Sequence, residues 1–318
     1  MSKTFKLAVL AALCAASAAQ AGVAFDANIE FDTTYADSRT NPVTKSSTDL
    51  GGRVEVNANA ELARNGDNFI NGRASLIVPV NGDSVTMDDA WLQFGNSSAD
   101  LKIGRFEASD LFPLGMDTVV MPADGTGYRA NVLRGRVKNG RFHGALSVNA
   151  APGLRFELGV VAEKQGDYAG VAALDQAKGS ASGIRPTVVY NSGDLTLRAG
   201  LESIQSNDSK LLNPVPNSTG FGLSAGYQLN KDSSLNLNYA RNEKLDASST
   251  GANIVTGALG LGFINDKTGS NSVNTVYAGY KLPLLGIKGA FVTPTLSYSK
   301  GDKVDDLLAL RVRLNYAF

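Results

Sequence analysis

From about Val23 to Phe318 the chain alternates apolar and polar positions with period two, segment after segment. Leu50, Gly52, Val54, Val56, Ala58, Ala60 and Leu62 fall on one face, and Gly51, Arg53, Glu55, Asn57, Asn59 and Glu61 on the other. The split recurs at Ile70 to Val78 and at Phe221 to Leu229. In the last segment Leu308, Leu310, Val312, Leu314, Tyr316 and Phe318 oppose Ala309, Arg311, Arg313, Asn315 and Ala317. Side chains of a strand point alternately to its two faces, so each segment predicts a strand with one apolar side. These strands run ~10–13 residues, carry small residues among the apolar ones and place charges at the middle of the polar face. That pattern fits lipid outside and water inside better than the core of a soluble sandwich.

Short turns punctuate the pattern at Arg64 to Asp67, Asn96 to Ser98, Asn191 to Asp194 and Asn230 to Ser233. Longer polar stretches, Asp37 to Thr48, Glu107 to Tyr128, Gln165 to Gly183 and Ser206 to Ser218, separate other pairs. Short connections at one end and long ones at the other suit a membrane barrel. The expected fold is all-β: a transmembrane antiparallel β-barrel of sixteen strands, with fourteen as the alternative. Counted from the two ends of the chain, Gln165 to Gly183 falls on opposite sides of the membrane. One hairpin is therefore surplus, and Ile254 to Ile264 is the best suspect. No linker or second domain interrupts the run.

Composition narrows the compartment. Lys3 and Lys6, the apolar run Leu7 to Ala19, and Ala19-Gln20-Ala21 read as a secretory signal over 1–21, cut after Ala21. The run is too short for a spanning helix, which needs ~20 apolar residues. The barrel then occupies 22–318, which is 318 − 21 = 297 residues. Cys14 is the one cysteine, so that part has none, and a disulfide framework or thiolate metal site is excluded. Thirty basic residues balance thirty acidic ones in the whole chain. With no basic cluster, nucleic acid is not an expected partner. No metal or cofactor is expected.

Two stretches carry a resemblance. A terminal Phe318, with Tyr316 two residues before it, resembles the signal read by the outer-membrane assembly machinery. The stretch DDAWLQFGNSSADLKIGRFEASDLFPLGMD, Asp88 to Asp117, resembles the Gram-negative general and sugar porins just before and within their third loop. Tyr128-Arg129-Ala130-Asn131 looks like the return from that loop. The resemblance is specific over Asp88 to Val137 and general elsewhere. It implies a loop folded into the lumen as a constriction and passive diffusion of small hydrophilic solutes, sugars among them. It also implies a homotrimer as one assembly state, outer-membrane lipid as surroundings, and a constriction that includes Arg105 and Arg129.

If the apolar faces look at lipid, Arg53, Arg73, Arg311 and Arg313 look inward, and Arg134 and Arg136 line the strand after the loop. The loop itself is acidic at Glu107, Asp110, Asp117 and Asp124. A basic wall facing an acidic loop would set a transverse field and favour anionic or strongly polar solutes. The alternative is that these charges keep the wall wet and pair locally, as Arg53 could with Glu55. Trp91 should also point inward, either as a stacking surface for a sugar or packed under the loop against Phe112 or Leu114. A structural or adhesive barrel and a barrel hydrolase are the competing readings. For the hydrolase, His143 is the only histidine. Ser147 on its face stands ~13 Å along the strand, beyond hydrogen-bond reach. No catalytic residue is expected.

Overall fold

A computed structural model describes residues 22–38, 46–82, 84–116, 127–135, 141–166, 179–206, 217–302 and 304–318. The expected signal over 1–21 lies outside the described residues. The strands are β1 (Val23–Ser38), β2 (Ser47–Asn65), β3 (Asn68–Pro79), β4 (Thr86–Gly95), β5 (Ala99–Arg105) and β6 (Arg141–Ala151). They continue with β7 (Leu154–Gly166), β8 (Gly179–Ser192), β9 (Leu195–Ser206), β10 (Ser218–Asn230), β11 (Ser233–Asn242) and β12 (Ala247–Thr256). The last are β13 (Leu259–Thr268), β14 (Asn271–Tyr280), β15 (Leu282–Pro283), β16 (Ala290–Gly301) and β17 (Leu307–Ala317). Two-residue β15 continues β14 after Lys281, and both pair with β16. Apart from β14 and β15, which lie end to end, the described strands pair antiparallel with their neighbours in sequence. The barrel among the described residues therefore has sixteen staves.

β1 closes the ring by pairing with β2 on one side and β17 on the other. Closure is a requirement in lipid, because an open sheet edge would leave backbone donors and acceptors with no partner. The outer face carries exposed apolar residues all round, among them Phe31, Leu92, Phe156, Ile184, Leu223 and Leu310. On a soluble surface such a belt would be a large sticky patch, and in a bilayer it is the solvated face.

Both the described N-terminal end and Phe318 lie at one rim, tied by Ala27 N–H to Phe318 O (3.0 Å) and Phe318 N–H to Ala27 O (3.1 Å). Connections at that rim are mostly two or three residues, as at Gly66-Asp67 and Gly193-Asp194. The rim of short turns is the periplasmic one. The strand ends that lead into and out of the longer connections, those of β5 and β6 and of β7 and β8, lie at the other rim.

Two expectations are corrected. Ile254 to Ile264 is no loop: it is the β12–β13 hairpin, paired from Ala247↔Thr268 to Thr256↔Leu259. Its alternation breaks at Phe263-Ile264 because Ile264 faces inward and is fully buried inside the barrel. The stretch around Leu133, expected as a strand, is not one. Residues 127–135 belong to the inward loop, and the next strand is β6.

The β1–β17 seam carries a side-chain clasp as well as the backbone ladder. Arg313 Nε and Nη2 donate to the two carboxylate oxygens of Asp32 at 2.7 and 2.8 Å. Arg313 Nη1 also stands 3.3 Å from Glu30. Arg313→Ala should lower the free energy of unfolding in lipid vesicles by about 2 kcal/mol, since it leaves two acceptors without their charged donor. Arg313→Lys should recover part of that, because lysine keeps the charge and loses the fork. Denaturant titration followed by far-UV circular dichroism checks both.

Candidate functional site: the lumen and its inward loop

The loop leaves β5 at Phe106 and returns through Leu133 to Gly135. Its neck is a short antiparallel pairing, with a bridge from Glu107 to Gly135 and Ala108 N–H donating to Arg134 O at 2.8 Å. His143 on β6 lies under the neck, its ring stacked 4.0 Å from that of Phe106.

Beyond the neck the loop is pressed onto one arc of the inner wall. Leu111, Phe112, Tyr128, Ala130, Val132 and Leu133 form a buried apolar cluster with Val161, Ile204, Ala240, Ala247, Ile264 and Tyr277 of β7 to β14. The wall makes room by omitting side chains. A Cβ placed on Gly200 would stand 2.7 Å from Leu111, and one on Gly251 2.9 Å from Phe112. Gly222 and Gly260 receive Ala130 and Met116 at 2.8 and 3.0 Å in the same way. Each large apolar side chain buried there contributes about 2 kcal/mol.

One charged pair fixes the loop's position. Arg185 on β8 and Glu202 on β9 are both 0% exposed, with Nε and Oε1 3.2 Å apart. Glu202 accepts from Tyr128 Oη at 2.8 Å, Leu133 N–H at 2.8 Å and Val132 N–H at 3.3 Å. Arg185 Nη2 donates to Ser109 O at 2.9 Å and Ala130 O at 3.1 Å. The pair therefore holds the outgoing and returning limbs together. Burial first, and then the Glu202 carboxylate, raise the Tyr128 phenol well above its ordinary pKa, so it stays a donor.

In the ring, β1 stands half a turn from β9, so the opposite arc is β17 with β1 to β4. That arc carries a continuous ladder of alternating charge. Asp32 meets Arg313 at 2.7 Å, Arg313 meets Glu30 at 3.3 Å, and Glu30 meets Arg53 at 3.3 Å. Arg53 meets Glu55 at 3.3 Å, Glu55 meets Arg73 at 3.8 Å, and Arg73 meets Asp89 at 3.2 Å. Arg311 faces the same arc. Four arginines thus stand against Glu30, Asp32, Glu55 and Asp89, and the expected basic wall is corrected to a mixed one. Arginines are visible in a single strand. Apart from Glu55, two residues from Arg53 on the same strand, their partners Glu30, Asp32 and Asp89 sit on neighbouring strands and emerge only once the register is known.

The loop is mixed as well. Glu107 and Asp110 stand 3.2 and 3.9 Å from Arg134, and Arg129 pairs with Asp266 of β13 at 3.1 Å. Arg134 lies on the returning limb, not on a strand, and Leu133 beside it faces the buried cluster, not lipid. Arg136, Asp117 and Asp124 lie outside the described residues. Arg105 is turned to the loop rim, where Nε donates to the carbonyls of Met87 (3.0 Å) and Asp88 (2.6 Å). Trp91 is inward, with the Lys102 ammonium 4.4 Å over its ring. Of the two loop residues expected over Trp91, Phe112 fills the slot above Gly251 on the far arc and Leu114 packs against the same buried cluster. A recess of about 390 Å³ on the loop is lined by Asp110, Pro113, Met116, Arg129, Asn131 and Arg134, among others. Sequence reasoning missed Arg185, Glu202 and the wall glycines. The signal for the latter was present: glycine at inward positions of β9, β10, β12 and β13.

A sixteen-stave closed barrel with a pinned inward loop and a charged aqueous face is a channel. A family model described as porin-like glycoporin RafY matches residues 19–275. The chain belongs to this porin family. Three mutant forms of the porin of Rhodopseudomonas blastica share its fold, each covering 92% of this chain and 100% of its own. Their TM-scores are 0.58, 0.58 and 0.56, at 11%, 12% and 12% sequence identity. No curated protein matches the sequence. The porin resides in the outer membrane, where its water-filled lumen passes small hydrophilic solutes.

Glu202→Ala should cost this porin about 3–5 kcal/mol, because it strands the buried Arg185 charge. Gly222→Leu should displace Leu111 and Ala130 and free the loop from the wall, raising single-channel conductance while strand content is unchanged. Conductance equal to the parent's would show that Gly222 does not seat the loop.

Proposed function

We propose that this porin favours small neutral, hydroxyl-rich solutes, sugars above all, with little preference between anions and cations. The alternating ladder Asp32–Arg313–Glu30–Arg53–Glu55–Arg73–Asp89 carries this reading. It offers closely spaced donors and acceptors that match hydroxyl groups, while adjacent opposite charges cancel at a distance. The matching family's description as a glycoporin agrees with it. The eyelet is the passage between this ladder and the loop face bearing Asp110, Arg129 and Arg134. Transport of this kind needs no catalytic residue, metal or cofactor.

Assembly completes the proposal. Phe318, its ring 5.4 Å from that of Tyr316 and tilted to it at the periplasmic rim, serves as the signal for the β-barrel assembly machinery. The outer faces of β2 and β3 carry the small residues Gly52, Ala58, Ala60, Gly72 and Ala74 between the exposed Leu50, Leu62 and Ile70, a surface suited to packing against further copies in a trimer. Residues 1–21 act as the cleaved export signal.

Single-channel recording in a planar bilayer tests the solute reading. Reversal potential in a salt gradient should lie near zero, and malto-oligosaccharides should block the current. A strong ion preference without sugar block would overturn it. Arg53→Ser with Arg73→Ser removes the ladder arginines of Glu55 and Asp89 and leaves Glu30 with Arg313 alone. It should move the reversal potential toward cation selectivity at low salt. High salt should erase the shift, since a screening length of ~3 Å at 1 M hides the wall from a passing ion. Phe318→Ser should reduce outer-membrane levels, read by immunoblotting of membrane fractions, and normal levels would remove Phe318 from the signal.

A further inference from the structure

The turns at the periplasmic rim are tight and mostly polar: Gly66-Asp67, Asn96-Ser97-Ser98, Gly193-Asp194, Lys231-Asp232 and Gly257-Ala258. The connection between β15 and β16 breaks this rule twice. It has six residues, 284–289, and reads Leu-Leu-Gly-Ile-Lys-Gly. Its first four form a β-turn closed by Ile287 N–H to Leu284 O at 3.0 Å. Leu285 and Gly286 hold the two central positions with φ of +54° and +68°. A turn with both values positive selects Asn, Asp or Gly, and leucine is strained there. Leu285 is also 84% exposed. A residue that is at once strained by its backbone and exposed to water gains nothing from its side chain within this chain.

The surroundings point to what covers it. Leu282 and Ile287 are exposed beside it, and the turn is joined to the end of β17 by Ala317 N–H to Gly289 O at 3.0 Å. Tyr280, Tyr316 and Phe318, the aromatic edge of the lipid-facing belt, are exposed around the same corner. The apolar turn is thus continuous with the surface that contacts the membrane. Its charge has one sign: from Gly269 to Gly301 the chain carries lysines and no acidic residue, and Lys288 on the turn is exposed. Aromatic rings with a flanking cation are the side chains that settle at the level of lipid headgroups.

We propose that the turn Leu284 to Ile287 is a foot seated in the periplasmic leaflet of the outer membrane. Leu285 and Ile287 insert among acyl chains just below the headgroups, and Lys288 meets a phospholipid phosphate. The inference rests on outer-membrane residence and is independent of which solute the lumen passes.

Leu285→Trp in the full-length chain adds a second tryptophan to Trp91. After reconstitution into vesicles of phosphatidylethanolamine and phosphatidylglycerol, the emission difference between variant and parent reports the turn. The expected difference spectrum is blue-shifted, quenched by lipids with a shallow doxyl group, and insensitive to iodide present on both sides. Lys288→Glu in the same background should weaken the doxyl quenching. Ile287→Trp gives a second reading at a residue with ordinary φ, should Leu285→Trp disturb the hairpin. Iodide quenching with no response to doxyl lipid would place the turn in water and overturn the proposal. Iodide access in vesicles but protection in native envelopes would overturn it in favour of a protein partner.

Discussion

The interior of this barrel depends on one buried ion pair. Arg185 and Glu202 lie on adjacent strands with no exposed surface, and neither charge could remain there alone. What makes the pair tolerable is the loop itself. Ser109, Ala130, Val132, Leu133 and Tyr128 supply the hydrogen bonds that water would otherwise supply. The dependence runs both ways, since a loop that left the wall would expose its apolar cluster and strip the pair of partners. Loop and wall therefore form a unit with two satisfactory states, fully docked or fully solvated, and little between them. That is how a long connection keeps one position inside a water-filled tube.

The docked loop divides the inner wall into two arcs with different chemistry. From β7 to β14 the inward positions that meet the loop combine apolar contacts, Val161, Ile204 and Ile264, and glycine sockets, Gly200, Gly222 and Gly251, with buried polar groups tied to the loop, the Arg185–Glu202 pair, Asn238, Asn253 and Asp266. On β17 and β1 to β4 they are ionic and remain in contact with the lumen. A barrel wall needs a polar inner face only where water touches it. Once the loop covers half the circumference, that half follows the rules of a soluble core.

This division explains what the sequence revealed and where it misled. Period two is a property of each strand alone, so the barrel, its outer face and the inward direction of Arg53, Arg73, Arg311 and Arg313 were legible. So was the loop, from the run of Leu111, Phe112 and Leu114 inside a polar stretch. Ile254 to Ile264 was the suspected loop, yet it is a barrel hairpin whose Ile264 points inward to the loop core. Leu133 and Gly135 alternate like a strand, yet Leu133 belongs to that same core. Arg185 and Glu202 look like ordinary lumen charges until β8 and β9 are set side by side with the loop between them. Information of that kind resides in the pairing of distant segments, and a single strand does not contain it.

The same dependence on register changes the electrostatics of the passage. Arginines segregated on one wall, with carboxylates across the lumen, would give a field whose strength a solute feels across the whole opening. Here each arginine of the ladder has a carboxylate within 4 Å on its own wall. The potential of alternating charges decays over roughly their own spacing, shorter than the ~8 Å screening length of physiological salt. A solute in mid-channel therefore feels little net pull. A solute touching the wall instead meets a row of strong donors and acceptors, fixed in place because each charge is held by its neighbours. Such a surface distinguishes solutes by how many hydroxyl groups they can lay along it, and it acts only at contact.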